Sequence, residues 1–189
     1  MESLEERIRR VTREPVAIVD YDPDWPARFE REKAHLLACL PQDIIVRIEH
    51  FGSTAVPGLS AKPIIDILVE VTDLEAVREK VVPVLESQAY EYFWRPTFGD
   101  DGEPFYAWFI KRDPRTGLRT HHIHMVEPDH TIHWERLLFR DYLIAHPDVA
   151  AEYDRLKREL AAYLSSDRVR YTNAKRDFIN RVMENARRQ

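Results

Sequence analysis

The segment His50–Val71, HFGSTAVPGLSAKPIIDILVEV, restricts the possible folds more than any other part of this 189-residue chain. A strand ends at Phe51, the chain turns on Gly52 and Ser53, and a loop through Pro57-Gly58 leads into a second strand, Ile64–Val71. That second strand is apolar almost without interruption, which predicts burial on both faces and an interior place in a sheet. It nonetheless carries Asp66 among β-branched residues. An unpaired charge is costly there, so Asp66 needs a partner such as a metal or a base. Gly52 lets the backbone approach a ligand where a Cβ would block it. Ser53 and Thr54 offer hydroxyls beside free backbone amides, the makings of a phosphate cradle. Period-two geometry sets Asp66, Leu68 and Glu70 on one side of the strand and Ile65, Ile67 and Val69 on the other. Glu70 is about 13 Å from Asp66 along an extended strand, too far to share one ion with it, and reads as a surface or helix-pairing acid.

The remaining elements follow from period and punctuation. Residues 2–13 are charged and predict a loose or short helical arm, and Val16–Val19 reads as a short strand. Asp22-Pro23 and Trp25-Pro26 hold the backbone out of helix before each proline. A helix then starts near Trp25 or Pro26, with Phe29, Lys33, Leu36, Leu37 and Leu40 on one face, and Pro41 stops it. Trp25 and Phe29 read as its anchors to the core. Ile44–Phe51 is the strand that enters the glycine–serine turn. Asp73 is the expected N-cap of a helix to about Glu86 that Pro83 kinks or breaks. Aromatic-rich segments follow at 90–98 and 105–110, joined by a turn at Gly99–Gly102. Asp113–Gly117 has hairpin chemistry and predicts pairing of 105–112 with 118–126, which Glu127-Pro128 ends. Helices are expected at 130–145, 147–164 and 168–187. Strands mixed with early helices, then a run of helices, predict an α+β fold: a mixed sheet flanked by helices with a C-terminal helical part, as a single domain over residues 1–189.

Composition closes off several classes. The apolar fraction is 44%, the charged fraction 32% and the formal charge −5, ordinary for a soluble globular protein and no case for general nucleic-acid binding. Residues 168–189 hold seven Lys/Arg against two Asp/Glu, either a solvated face or one wall of an anion site. Cys39 is the only cysteine, which excludes an internal disulfide and a CxxC zinc site, and it reads as core packing. The charged first residues do not form a signal peptide, and no run approaches about 18 apolar residues, so no membrane partner is expected. A cytoplasmic location is the expectation. There is no GxxxxGK[ST] loop, no GxGxxG fingerprint and no GxSxG elbow around Ser53.

The second chemical signal is His121-His-Ile-His124; five of the eight histidines lie between 121 and 133, His130 and His133 among them. On a strand, His122 and His124 share a face one pleat apart, close enough to bind one ion; the alternative is hydrogen bonding at a sheet edge. Asp66 with both would make a carboxylate–imidazole site with open positions. Imidazoles suit zinc and other transition metals, whereas magnesium prefers oxygens. Lys62, fixed by Pro63, projects toward a phosphate at Ser53 or stands as an exposed loop lysine. Tyr171 and Lys175 share a helical face, able to stack on a base and meet a phosphate, or else to pack and be solvated. Arg136 and Arg140 form a similar i, i+4 pair. His50 is expected to hydrogen-bond the loop and shape it.

The turn Gly52-Ser53 followed by the strand triplet Asp66-Ile67-Leu68 resembles the signature of the GrpB family, whose fold is that of the nucleotidyltransferases. The resemblance runs from Tyr21–Trp25 (YDPDW) to Tyr171–Lys175 (YTNAK). It implies a nucleotide- and metal-binding cleft. In that superfamily the triplet ends in a second acid; here the position holds Leu68. Two functions are therefore expected. One is a metal-assisted enzyme transferring a nucleotidyl group to a small acceptor. In it Asp66 is catalytic, Asp66, His122 and His124 hold a divalent ion (Mg, Mn or Zn), and Gly52, Ser53, Thr54, Lys62, Tyr171 and Lys175 hold the nucleotide. The other is an inactive nucleotide- or metal-binding accessory module, since relatives in this family are attached to dephospho-CoA kinase.

Overall fold

The computed structural model of the protein describes residues 2–98 and 102–188. Its strands are β1 (Ile45–Phe51), β2 (Ile65–Val71), β3 (Glu91–Phe98), β4 (Gly102–Arg112) and β5 (Arg119–Val126). Its helices are α1 (Leu4–Arg13), α2 (Trp25–Cys39), α3 (Leu74–Ala76), α4 (Val82–Ser87), α5 (Thr131–Ala145), α6 (Pro147–Leu164), α7 (Arg168–Ala174) and α8 (Arg176–Ala186). The turn expected at Gly99–Gly102 lies, but for its last residue, outside the described residues. Among those residues no helix is long and apolar enough to cross a membrane. The chain divides into two compact units. One comprises Asp22–Ala55 and Ile64–Leu137; the other comprises the residues up to Tyr21, Val56–Pro63, and Leu138 onward.

The first unit is built on one mixed five-stranded sheet in the order β1-β2-β5-β4-β3. β2 runs parallel to β5, and every other neighbouring pair is antiparallel. The apolar run of β2 puts it inside the sheet as expected: Ile65, Ile67, Leu68, Val69 and Val71 are fully buried. Each such side chain stabilises the fold by about 1.5–3 kcal/mol. The Asp113–Gly117 turn joins β4 to β5, with Gly117 at φ +70°.

Helix α2 packs on the sheet face of Ile65, Ile67 and His121. Trp25 (0% exposed) and Leu36 are buried, Phe29 stacks on His50 with ring centroids 4.8 Å apart, and Leu37, expected on the buried face, is 38% exposed. Cys39 is half-buried, not core. The same helix buries Glu32, which accepts hydrogen bonds from Tyr90 Oη and Lys111 Nζ, each 2.5 Å. Burial opposes the charged form of Glu32, yet the bonds from Lys111 and Tyr90 outweigh it and hold the carboxyl below its usual range.

Asp73 caps the next helical stretch through its carboxylate, which accepts from Glu75 N and Ala76 N. That stretch widens into a π turn at Val77–Val81 before resuming as α4. Pro83 has no N–H to give an α-helical bond, and Val82 N–H reaches back to Val77 O in a five-residue step.

The helical unit packs Val56, Leu59, Leu143, Tyr153, Phe178 and Val182 into one core. Val16–Val19 is not a strand of the sheet. Val19 makes one isolated bridge to Ala61, and Val16 N–H donates to Ser165 O at 2.7 Å. A short apolar run is satisfied by burial alone, and Val16 is 4% exposed. The single helix expected at 168–187 is two, because Lys175 (φ −89°, ψ −5°) interrupts the ladder between α7 and α8.

Candidate functional site

The parallel register of β2 and β5 pairs Asp66 with His122 and Leu68 with His124, so the four residues share one face of the sheet. Asp66, His122 and His124 each bring one ligand atom within 4.8 Å of the others. Helix α2 covers the opposite face, which leaves the carboxylate partly open at 27% side-chain exposure.

His122 Nε2 lies 3.4 Å from Arg119 Nη1, and a guanidinium can only donate. The ring proton therefore sits on Nδ1, which donates to Asp66 Oδ1 at 3.1 Å. His124 is different. It is 7% exposed, its ring is fixed by stacking on Tyr106 (5.4 Å) and edge contact with Phe51 (5.2 Å), and its Nδ1 is buried without a hydrogen bond. Burial, helped by the Arg136 charge, pushes its pKa well below the usual histidine range. The imidazole is neutral, with a lone pair that no described residue uses. Two imidazoles and one carboxylate, one imidazole with an orphaned nitrogen, fit a divalent transition metal or zinc.

The glycine–serine turn sits directly beside this cluster. Gly52 has φ +74°, and a Cβ there would lie 2.6 Å from Asp66 Oδ2. The close approach expected of Gly52 is thus an approach to the Asp66 carboxylate. Ser53 opens a short 3-10 turn, Ser53–Ala55, and is partly exposed. Thr54 is 1% exposed, and its hydroxyl is bound to His50 Nε2 (3.0 Å) and Ile64 O (3.5 Å). Thr54 shapes the turn from within, as expected of His50, and its hydroxyl does not face a ligand. Glu70, read as a surface or helix-pairing acid, pairs with Arg47 of the neighbouring strand at 2.6 Å, its side chain 13% exposed.

The other expected site residues belong to the helical unit. Lys62 Nζ lies 5.8 Å and Lys175 Nζ 4.6 Å from the Tyr171 ring. Tyr171 itself is 1% exposed, so the stacking on a base expected of it gives way to core packing. Arg140, expected to share a helix face with Arg136, bonds Asp141 at 2.7 Å.

Four residues of the sheet unit escaped the sequence reading as site residues. Tyr106 and Trp108 (5.2 Å from the His122 ring) wall the site, and Arg95 and Arg119 bring charge to it. Only the alternation of Tyr106 and Trp108 with Phe105, Ala107 and Phe109 hinted that one face of the hairpin was polar-aromatic. His130 and His133 lie on the same side, Nδ1 to Nδ1 at 3.0 Å, and His133 contacts Tyr106 at 4.3 Å.

Fold and site together define an α+β protein with a carboxylate–imidazole cluster and a glycine–serine turn on the open face of a mixed sheet. The chain belongs to the GrpB family, whose model, described as GrpB protein, matches residues 15–185. It is 38% identical over 173 residues to the protein YqkA of Bacillus subtilis, covering 92% of this chain but 48% of YqkA, about half of that relative's length. It is 36% identical to the glutamate-rich protein GrpB of Alkalihalophilus pseudofirmus, covering 92% of this chain and 97% of that one. A dephospho-CoA kinase of Mycolicibacterium paratuberculosis is 34% identical over 79% of this chain and 40% of its own length. The crystal structure of the conserved protein GrpB from Enterococcus faecalis superposes with a TM-score of 0.74 at 33% identity, covering 90% of this chain and 96% of that chain.

Proposed function

We propose that this protein is a metal-assisted, nucleotide-binding enzyme of nucleotidyltransferase type, acting at the Asp66 centre. The observation that carries the reading is the convergence of Asp66, His122 and His124 within 4.8 Å beside a turn that favours glycine and leaves no room for a Cβ at Gly52. A divalent ion held there would polarise a phosphoryl oxygen and draw a polyphosphate toward an otherwise repelling carboxylate. Asp66 and His124 would supply ligand atoms. His122 would either shift its proton from Nδ1 to Nε2 and offer Nδ1 as a third ligand, or stay bonded to Asp66 and orient it. The Gly52-Ser53 amides and the Ser53 hydroxyl would hold phosphate oxygens. In the transfer, an acceptor oxygen bonds to the α-phosphorus while the bond to the pyrophosphate oxygen breaks and its electron pair leaves with pyrophosphate. The acceptor proton passes to Asp66. Lys62 and Lys175 are a separate proposed anion contact on the helical unit.

A second reading, an accessory nucleotide- or metal-binding module, has its own support. Leu68 is fully buried where a second carboxylate would stand, and similarity extends to part of a dephospho-CoA kinase. Titrating metal-free protein with Zn, Mn and Mg while following its Tm separates the possibilities. A metal at 100 times its Kd adds about 2.7 kcal/mol of stability. Both readings expect that rise in the parent protein and its loss in Asp66→Asn and His124→Ala; a rise retained in both variants removes the metal centre. Metal-dependent release of pyrophosphate from a nucleoside triphosphate then favours the enzyme. Turnover that appears only in Leu68→Asp favours the module.

A further inference from the structure

Two guanidinium groups beside the Asp66 centre are held by ring faces alone. Arg95, on β3, lies 4.8 Å from the Trp108 ring and 5.8 Å from the Tyr106 ring. Arg136, on α5 and half-buried, lies 5.7 Å from the Phe51 ring. Neither makes a hydrogen bond or an ion pair among the described residues. A ring face attracts a cation but offers no oxygen acceptor, so the five N–H donors of each guanidinium remain to be used.

The register shows that these groups share a face. Arg95 pairs with Tyr106, Trp108 with His124, and Phe51 with Asp66, and directly paired residues point the same way. Arg95 and Arg136 also feel one another. Burial pulls Arg136 below the usual guanidinium range, Tyr106 and Asp66 oppose that shift, and the Arg95 charge adds to it. Both arginines act in the same direction on His124 and His133, after burial, which is the main cause. Two cations beside Asp66, with the His124 and His133 imidazoles held uncharged by burial, leave a surplus of positive charge, which a bound metal would enlarge. The missing counterpart is an anion with several oxygens and more than one charge.

We propose that Arg95 and Arg136 form a guanidinium clamp for a phosphoryl group of the substrate, beside the Asp66–His122–His124 centre. The forked donors of arginine match phosphoryl oxygens, and ring faces that hold the forks in place lower the entropic cost of closing them. The clamp deepens the nucleotide reading above, on which the choice of a phosphoryl group rests, but its anion binding does not need the metal.

Calorimetric titration of metal-free protein with pyrophosphate, and with malonate as a dicarboxylate control, tests it in the parent chain, Arg95→Gln and Arg136→Gln. Pyrophosphate should bind the parent, and each substitution should weaken it by about tenfold or more. Affinity for Mn or Zn should hold or rise in the same variants, because a positive charge near Asp66 is gone; a merely structural role cannot move the two ligands in opposite directions. Unchanged pyrophosphate binding in both variants overturns the clamp even where Asp66→Asn abolishes metal binding. Loss of metal and pyrophosphate together overturns it as general disruption. Malonate binding equal to pyrophosphate overturns the phosphoryl assignment. If no metal binds the parent but both variants lose pyrophosphate, the clamp stands and the metal-assisted transfer reading falls.

Discussion

The two units each bury a polar cluster, and the clusters differ in how completely they are wired. In the helical unit, Lys157 (2% exposed) donates to Ser60 O, and Asp154 accepts from the Ser60 amide at 2.8 Å and from the Ser60 hydroxyl. Arg158 closes the set, donating to Asp154 at 2.9 Å and to Asp20 at 2.5 Å. In the sheet unit, Asp66 and His122 are paired, but among the described residues His124 Nδ1 is orphaned and Arg95 and Arg136 meet only rings. A buried network whose donors and acceptors are matched rigidifies a fold. One left with unmatched donors and a spare lone pair carries a standing cost, and a ligand that matches them removes it. The contrast separates a structural polar cluster from a functional one without reference to residue type, since both contain a part-buried carboxylate and more than one cation.

The sharpest way to break the contrast is to open the closed cluster. Lys157→Ala strands the Ser60 carbonyl and weakens the grip on Asp154, and should cost about 3 kcal/mol in urea denaturation. The loss has a pH signature. Burial, reinforced by the Lys175 charge although Asp154 opposes it, pushes the Lys157 pKa down to about 7 in the folded state. The unfolded chain keeps its proton to about pH 10.4. Below pH 7 both states are protonated and the burial penalty is present in full; between pH 7 and about 10 the unfolded state holds more protons, so stability rises with pH. The stability gap between the parent and Lys157→Ala should widen over that window by up to about 1.4 kcal/mol per pH unit. A gap independent of pH means that Lys157 is not held in this environment.

At the open cluster the expected losses of stability are smaller and the losses of binding larger. Gly52→Ala demands φ +74° of alanine and drives a Cβ to 2.6 Å from Asp66, which should cost about 1–3 kcal/mol and abolish the metal-induced rise in Tm. Asp66→Asn should change metal-free stability by no more than about 1 kcal/mol, because the carboxylate is part-exposed. Should Asp66→Asn instead prove as destabilising as Lys157→Ala, the two clusters are both structural and the contrast fails. Glu70→Gln, on the same face but paired with Arg47, should stay within about 0.5 kcal/mol and leave metal affinity unchanged.

Much of the sheet and part of the site were legible beforehand. The apolar run around Asp66 predicted an interior strand, and alternation put His122 and His124 on one face, because strand period and burial are local properties of consecutive residues. The hairpin at Asp113–Gly117 and the Asp73 cap were legible for the same reason: their chemistry is complete within a few residues. Lys157 and Glu32 were not legible. Each lies in a polar helix where sequence offers no sign that a lysine or glutamate turns inward, and each is buried only because partners 97 and 58 residues away meet it. Thr54 and Tyr171 failed in the opposite sense, being site-like in type but enclosed by their surroundings.

What the chain determined by itself was therefore the set of elements whose hydrogen bonds and apolar contacts close locally, together with the glycine, aspartate and histidines that make a metal centre chemically possible. Tertiary structure alone decided which charges would be matched. The β2–β5 register set Asp66 against His122, the β3–β4–β5 register laid Arg95 over Trp108, and Arg136 reached Phe51 from α5. Pairing between strands distant in sequence has no local signature, and the energy of a charge depends on its neighbours more than on its own identity.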